Sequence, residues 1–164
     1  MQPEIGSVCQ SHLEFMKWAD EQLYSALSQA PADQVSLDRG SSFKSLFDTL
    51  NHIYLAELVW ISRVQGDPAT KIDELPAPAD IAALGEVWPG LHQRWIDWGQ
   101  SLDDWSKPMA IRGRFGEFEL PYWQLVMHLM NHGSYHRGQL ATMLRQADIK
   151  PPATDLMKFY LSKP

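Results

Sequence analysis

PYWQLVMHLMNHGSYHRGQLATMLRQ, residues 121–146, is the stretch with the most regular pattern in the chain. Its apolar residues recur every three or four positions, which is the spacing of one face of an α-helix. A proline stands at its start, where a helix tolerates the missing N–H donor. The segment therefore predicts an amphipathic helix of about seven turns.

Three earlier segments show the same periodicity, and they are Glu4–Gln29, Ser42–Gln65 and Asp80–Asp104. Ser41 or Ser42 is the predicted N-cap of the second helix, because a serine side chain accepts a hydrogen bond from the first turn. Pro89 lies inside the third segment, where the lost hydrogen bond predicts a bend or a restart of the helix.

The connections are short by comparison. Residues 67–79 are rich in Pro, Asp and Ala and predict a loop. Met109–Leu120 alternates apolar and charged residues around glycines and predicts a β-hairpin, and Thr154–Leu161 predicts a short last helix. Residues 1–164 are thus expected to form one all-α domain, a four-helix bundle with a short β-hairpin between helices 3 and 4.

Composition narrows the possible functions. The formal net charge of −6 and the lack of a basic stripe argue against binding to nucleic acid. No apolar run approaches the ~20 residues that cross a bilayer, so no membrane partner is expected. The first residues lack the features of a signal peptide, and the single cysteine, Cys9, cannot form an internal disulfide. A cytoplasmic protein is the expectation.

Histidines provide the strongest indication of chemistry. His128, His132 and His136 recur every four residues on the last helix, a spacing that places them on one side about one turn apart. At about 100° per residue, His132 and His136 share the arc of the apolar face, and His128 lies at its edge. Two imidazoles among apolar side chains need partners for their ring nitrogens, and a metal ion supplies one for both.

A third metal ligand is expected from a facing helix. His52 in the second helix is the best candidate, and His12 in the first helix is the reserve. His92 lies near the apolar stripe of the third helix only as a neighbour. Three imidazoles suit Zn, Ni or Fe among the divalent metals.

The sequence lacks the motifs of two well-known classes of metal enzyme. Gly133 stands where a metalloprotease HExxH motif has its glutamate, and Tyr135 replaces the glutamate of the inverted motif. A di-iron bundle needs two Glu-x-x-His motifs and two further glutamates, whereas Glu57 is the only acidic residue near the centre of the second helix.

Four stretches of the chain resemble one known family. Asn131–Leu140, NHGSYHRGQL, is similar to the last-helix signature of the DinB/YfiT-like family, and Pro151–Leu156 is similar to its tail. Phe15–Asp20 resembles its first-helix pattern, and Leu50–Ile53 contains the match to its second-helix histidine. The resemblance runs through nearly the whole chain in order.

This resemblance implies an up-down-down-up bundle that is often a homodimer. It implies a divalent metal held by His52, His132 and His136, with water in the remaining positions. Some members of the family are S-transferases or isomerases that use a low-molecular-weight thiol such as mycothiol, bacillithiol or glutathione. The substrate itself does not transfer with the resemblance, beyond its being a small molecule.

Three functions therefore stay open: a thiol-dependent S-transferase, a metal-hydroxide hydrolase, and a metal-binding bundle without turnover that acts as a sensor or binds a partner. No catalytic residue is assigned. Asn51 and Asn131 each precede a proposed ligand and are expected to hydrogen-bond around the metal. Trp60, Tyr135 and His128 are expected to line a pocket or support the site.

Two further expectations concern the last helix. Arg137 points away from the histidine face, which predicts a structural ion pair, with Asp155 as the candidate partner. Gly133 weakens the helix, so it is expected to leave space beside His132 for a ligand or for a closely packed helix.

Overall fold

The computed structural model describes residues 4–67, 70–113 and 116–163. Six α-helices and two strands make up the described chain: α1 (Ile5–Ser28), α2 (Ala32–Ser36), α3 (Leu46–Val64), α4 (Ile81–Ser101), β1 (Pro108–Gly113), β2 (Gly116–Pro121), α5 (Tyr122–Gln146) and α6 (Leu156–Ser162). Pro68 and Ala69 in the predicted loop over residues 67–79, and Arg114 and Phe115 at the tip of the predicted hairpin, lie outside the described residues.

The predicted helices and hairpin are present, with α3 starting later than expected. Ser45, and not Ser41 or Ser42, is the N-cap of α3, and it forms a capping box with Asp48. The backbone of Lys44 bonds back to Ser41 at 3.0 Å and has a φ of 56°, so a tight turn precedes the helix. The short helix α2 and a 3₁₀ turn over Ile72–Glu74 were not predicted.

Pro89 does not restart α4, which runs unbroken from Ile81 to Ser101. The proline removes one backbone hydrogen bond, but Trp88, Leu91 and Trp95 on either side of it are buried. Tertiary packing on both sides of the proline therefore maintains the helix, because most helical stability in proteins comes from a buried face.

Side-chain contacts fix the direction of each long helix. Tyr24 near the end of α1 lies against Gly85 near the start of α4, so these two helices are antiparallel. Thr49 near the start of α3 contacts Met143 near the end of α5, and Trp60 near the end of α3 contacts His128 near the start of α5. Helices α3 and α5 are therefore antiparallel too.

Helices α3 and α4 run in the same direction. Glu57 bonds Trp88, and Gln65 just after α3 bonds Arg94 further along α4. The long helices α1, α3, α4 and α5 consequently run up, down, down and up, as the resemblance implied. Helix α1 packs on α4 and α5, and α3 packs on the same two.

The hairpin closes one end of the bundle. Its strands pair Ile111 with Phe118 and Met109 with Leu120, so these four side chains share one face. Met109 and Ile111 are buried in the main core, and Trp105 just before the hairpin accepts a backbone bond from Trp123 in α5 at 3.1 Å. None of the helices in the described ranges combines the length and hydrophobicity that a bilayer crossing requires.

Candidate metal centre

Three histidine side chains meet between α3 and α5. The Nε2 atom of His132 lies 3.2 Å from Nε2 of His52 and 3.2 Å from Nε2 of His136. Each ring offers one nitrogen to the same small volume, and all three of these atoms lie within 4.8 Å of one another. The antiparallel packing of α3 on α5 brings His52 beside the two histidines that the helical period already pairs.

The three rings are kept neutral by their surroundings. Burial, with a smaller contribution from the charge of His136, lowers the pKa of His52 to about 4. Burial and the neighbouring histidines lower the pKa of His132 to about 4 as well, and burial lowers the pKa of His136. Neutral imidazole is the form that binds metal, so the rings hold their lone pairs ready at neutral pH.

Two side chains that the sequence analysis did not single out orient the rings. Gln139 Oε1 lies 2.8 Å from Nδ1 of His136, so that nitrogen donates its hydrogen and Nε2 keeps its lone pair toward the other histidines. Phe43 stacks on His52 with ring centroids 3.9 Å apart and an angle of 17° between the planes. The i, i+3 spacing of His136 and Gln139 was a usable signal, whereas nothing local pointed to Phe43.

The donor set fits a divalent cation. Two nitrogens bound at roughly 2.0–2.1 Å to one tetrahedral zinc ion lie about 3.3 Å apart, close to the two separations seen here. Nε2 of a neutral His132 carries either one hydrogen or one lone pair, so at most one of its two 3.2 Å contacts can be a well-aligned hydrogen bond. A cation would instead accept a lone pair from each of the three nitrogens. With only three protein ligands, further coordination positions would stay open for small molecules.

A cleft of about 990 Å³ opens beside His132. His128 and Trp60 line it, and their rings contact each other with centroids 5.4 Å apart. The hairpin contributes Ile111 and Phe118 to the opposite wall. The volume falls within the range of small-molecule sites.

Comparison with known proteins agrees with this architecture. The DinB family model matches residues 5–163. The chain belongs to the DinB family. It is 29% identical over 150 residues to Protein DinB of Bacillus subtilis (strain 168), covering 87% of each sequence. The crystal structure of a DinB-like protein from Bacillus cereus ATCC 10987 superposes with a TM-score of 0.66 at 21% identity, covering 87% of this chain and 94% of that one, and it supports the fold.

The other predicted site residues of this DinB-family chain lie at different distances from the triad. His128 is exposed in the cleft, and its ring centroid is 6.0 Å from that of His132. Trp60 lines the cleft. Tyr135 is 63% exposed and touches His136 edge-on, with ring centroids 5.0 Å apart.

The two asparagines do not hydrogen-bond to the histidines. Asn51 has a buried side-chain oxygen without a hydrogen-bond partner among the described residues. Asn131 is exposed, and its side chain forms no hydrogen bond within residues 4–67, 70–113 and 116–163. The polar support of the triad comes instead from Gln139.

A second group of side chains that could hold a metal lies deeper in the bundle. Asp20, Glu57 and His92 come from α1, α3 and α4, all are buried, and their ligand atoms lie within 4.8 Å of one another. Sequence analysis missed this group because its members are distant in the chain. His12, the reserve ligand, is buried on α1 and belongs to neither group.

Arg137 makes this second group less suited to a cation than the triad. Its Nη1 lies 3.2 Å from Asp20 Oδ1, and both side chains are almost fully buried. The prediction of an Arg137–Asp155 pair is therefore wrong, because α5 packs on α1 and brings Asp20 closer, while Asp155 caps α6. Burial, and then the charge of Asp20, raise the pKa of Glu57, which favours a proton on Glu57 over a second positive ion.

Gly133 makes room for this arginine, not for a ligand beside His132. A Cβ atom at Gly133 would lie 2.6 Å from Nη1 of Arg137. The buried guanidinium thus occupies the space that the missing side chain leaves.

Proposed function

We propose that this DinB-family protein binds one divalent metal ion through His52, His132 and His136 and transfers a low-molecular-weight thiol to an electrophilic carbon of a small molecule. The observation that carries the proposal is the convergence of three neutral ring nitrogens beside an open cleft. A metal held by three imidazoles keeps positions for exchangeable ligands, as catalytic sites do and closed structural sites do not.

A divalent cation at this centre would supply Lewis acidity and would lower the pKa of a thiol bound there. Residues of the chain itself orient the metal ligands and position the acceptor. Gln139 holds His136 in the tautomer that offers Nε2, and Phe43 covers one face of His52. The cleft positions the acceptor next to His132, which reduces the entropy cost of bringing two molecules together.

The group transfer balances without any oxidant or reductant. The thiol gives its proton to solvent, and the sulfur lone pair forms a new S–C bond. With a chlorinated acceptor the C–Cl bond breaks and chloride leaves with the bonding pair. With an epoxide the C–O bond opens and the oxygen takes a proton from solvent.

Metal content tests the first half of the proposal. Elemental analysis of protein made without a His-tag is expected to give about one divalent metal ion per chain, and the His132→Ala variant is expected to lose it. His128→Ala is the matched control, since it removes a histidine one turn earlier on the same helix and outside the triad. Equal metal content in wild type and His132→Ala would contradict the assignment.

Turnover tests the second half. Zinc-, nickel- or iron-loaded protein is assayed with glutathione, bacillithiol and mycothiol against 1-chloro-2,4-dinitrobenzene and an aryl epoxide. Metal-dependent conjugation with at least one thiol is expected, and His52→Ala is expected to abolish it with the fold intact. Metal binding without conjugation by any thiol would overturn the S-transferase and leave a metal-binding bundle.

One observation favours a second candidate, hydrolysis of a small ester or amide. His128 lines the cleft with its ring centroid 6.0 Å from that of His132, and partial loss of hydration there lowers its pKa, so a neutral imidazole is available as a general base. If the reaction is hydrolysis, His128→Gln should lower kcat by about 10²–10⁴. If it is thiol transfer, the metal-dependent conjugation should survive that change.

Four expectations from the sequence stay predictions. They are a small-molecule substrate, a homodimer, no nucleic-acid or membrane partner, and a cytoplasmic location.

A further inference from the structure

The cleft beside His132 has an apolar interior. Val59 and Trp60 from α3 form one wall, and Ile111, Phe118 and Leu120 from the hairpin face form the other. Phe118 is 41% exposed, although it is a large apolar side chain, and Ile72 at the mouth is 36% exposed. These side chains give a ligand apolar area to cover.

Each cation at the cleft is already matched by an acidic neighbour. Arg112 pairs with Glu117 at 3.2 Å, and Lys71 pairs with Glu74 at 2.9 Å. The cleft therefore does not offer either of these charges unpaired to an anionic ligand.

The guanidinium of Arg63 also has partners within the protein. Two of its N–H groups donate to the carbonyl oxygen of Thr70, at 3.2 Å and 2.9 Å, and the charge of Asp67 acts on its guanidinium. Its guanidinium lies over the ring of Trp60, 4.6 Å from the centroid. The guanidinium thus covers the end of the apolar wall and is not aimed at a carboxylate of a ligand.

We infer that the cleft is the acceptor subsite of the proposed transferase, on which this inference rests, and that it selects an uncharged molecule with an aryl or similarly flat apolar body. Trp60 and Phe118 flank that body, and the reactive carbon points to His132. An anionic body would lose its hydration on entry without gaining an unpaired cation. A cationic body would meet only the carboxylate of Asp73 in the cleft lining, and that charge already acts on Lys71.

Three probes that share one phenylalkyl body and differ in the charge of the end group test the selection by charge without requiring turnover. Calorimetric titration of metal-free protein with 4-phenylbutanamide, 4-phenylbutyrate and 4-phenylbutan-1-amine is expected to show the neutral amide binding at least about tenfold tighter than either ion. Equal or tighter binding of the carboxylate or the amine would overturn the selection. Failure of all three probes to bind would overturn the subsite.

Phe118→Ser tests the location, because it removes an exposed ring and should leave the fold intact. It is expected to weaken binding of the amide at least about fivefold, since an aromatic wall is lost. Tyr160→Ser is the matched control, a 45% exposed ring on α6 away from the cleft, and it should bind like wild type. Unchanged binding of the amide to Phe118→Ser would show that the probe binds elsewhere. A change in the oligomeric state of Phe118→Ser that accompanies weaker binding would show that this face is a subunit contact.

The thiol is expected to bind elsewhere around the metal. Saturating glutathione, which is charged and lacks an apolar body, should leave binding of the amide to zinc-loaded protein unchanged, and displacement would assign the cleft to the thiol. Probe binding without conjugation by any thiol would end the proposed function and leave the cleft standing. Conjugation with charged acceptors alone would support the proposed function and would overturn the selection of an uncharged acceptor by the cleft.

Discussion

Two glycines five residues apart on α5 have opposite roles. A Cβ at Gly133 would collide with Arg137, whereas a Cβ at Gly138 would meet nothing within 4 Å. Gly138→Ala is therefore expected to stabilise the protein by about 0.5–1 kcal/mol, the gain in helix propensity. Gly133→Ala should destabilise it in spite of the same gain, because the buried Arg137–Asp20 pair must move. Urea unfolding of both variants measures the difference.

Arg137 is long, but it is not free to give way, since it bonds Ser134 as well as Asp20. A Gly133→Ala variant as stable as Gly138→Ala would show that the guanidinium relaxes without cost, and would contradict this account of the glycine.

Replacing the buried carboxyl groups of Asp20 on α1 and Glu57 on α3 by amides is expected to change the stability of the protein in different ways. The pKa of Glu57 is raised, so its contribution to stability is complete below about pH 4.5, the usual value for glutamate, and is lost as pH rises through its pKa in the folded protein. Glu57→Gln keeps an acceptor for Trp88 and removes that loss, so its stability relative to wild type should increase from pH 5 to pH 9.

Asp20→Asn is the contrasting variant. It leaves the buried charge of Arg137 without its counter-ion and should cost about 3–5 kcal/mol at neutral pH. His92 also faces this cluster, 3.6 Å from Asp20 and 3.8 Å from Glu57, and it is unchanged in both variants. Chemical denaturation across the pH range separates the two effects. If the stability of Glu57→Gln relative to wild type stays constant from pH 5 to pH 9, the pKa of Glu57 is not raised in the fold.

Residues were predictable from the sequence where their partners are local. The i, i+4 spacing placed His132 beside His136, and that geometry depends only on the helix. Phe43 on His52 and Asp20 on Arg137 depend on how helices and loops pack, so the helical period carried no information about them. Asp155 was a plausible partner for Arg137 by charge alone and was wrong for this reason.

The start of α3 shows what an N-cap contributes to an element that carries a proposed ligand. Ser45→Ala removes the capping box with Asp48 and is expected to cost about 1 kcal/mol, with a range of roughly 0.5–2. Ser42→Ala is the matched control, because Ser42 is exposed and three residues too early to cap the helix. Its stability should stay within about 0.5 kcal/mol of wild type.

Thermal or urea unfolding of these two serine variants gives the comparison. A larger loss in Ser42→Ala than in Ser45→Ala would restore the helix start that the sequence favoured. The sequence placed the long helices correctly because each has a continuous apolar stripe. It missed the turn at Lys44 and the helix α2, since short elements leave too few residues to show a period.

At the scale of the whole molecule, amphipathic periodicity predicted a bundle but not the order or direction of its helices. The directions followed from the resemblance to the DinB/YfiT-like family, and contacts such as Tyr24 with Gly85 now give them independently. The cleft could not be predicted from the helices alone, because its walls come from α3 and from the hairpin, which meet only after the bundle forms.

The packed bundle also determines how the metal centre should respond to acid. Because burial lowers the pKa of His52 and His132 to about 4, the folded protein keeps these rings neutral well below the usual value for histidine. The pKa of His136 is lowered too, so its protonation by pH 5.5 costs less than the roughly tenfold that one ordinary histidine would cost. The affinity of the folded protein for Co²⁺, followed by its visible absorption, should therefore change by less than about tenfold between pH 7.5 and pH 5.5. Three exposed histidines of ordinary pKa, each mostly protonated at pH 5.5, would together lose about a thousandfold.

The same lowered pKa values weaken the metal-free protein in acid. The unfolded chain takes up protons on these histidines as pH falls below about 6.5, while the folded chain does not until about pH 4, so the free energy of unfolding should fall across that window. His132→Ala should reduce the fall, because it removes one of the rings that protonate only on unfolding. Two results together would contradict this prediction: a loss of metal affinity of about a thousandfold by pH 5.5, and a free energy of unfolding of the metal-free protein that does not change with pH. They would show that the histidine rings are solvated and that the fold does not keep them neutral for binding a cation.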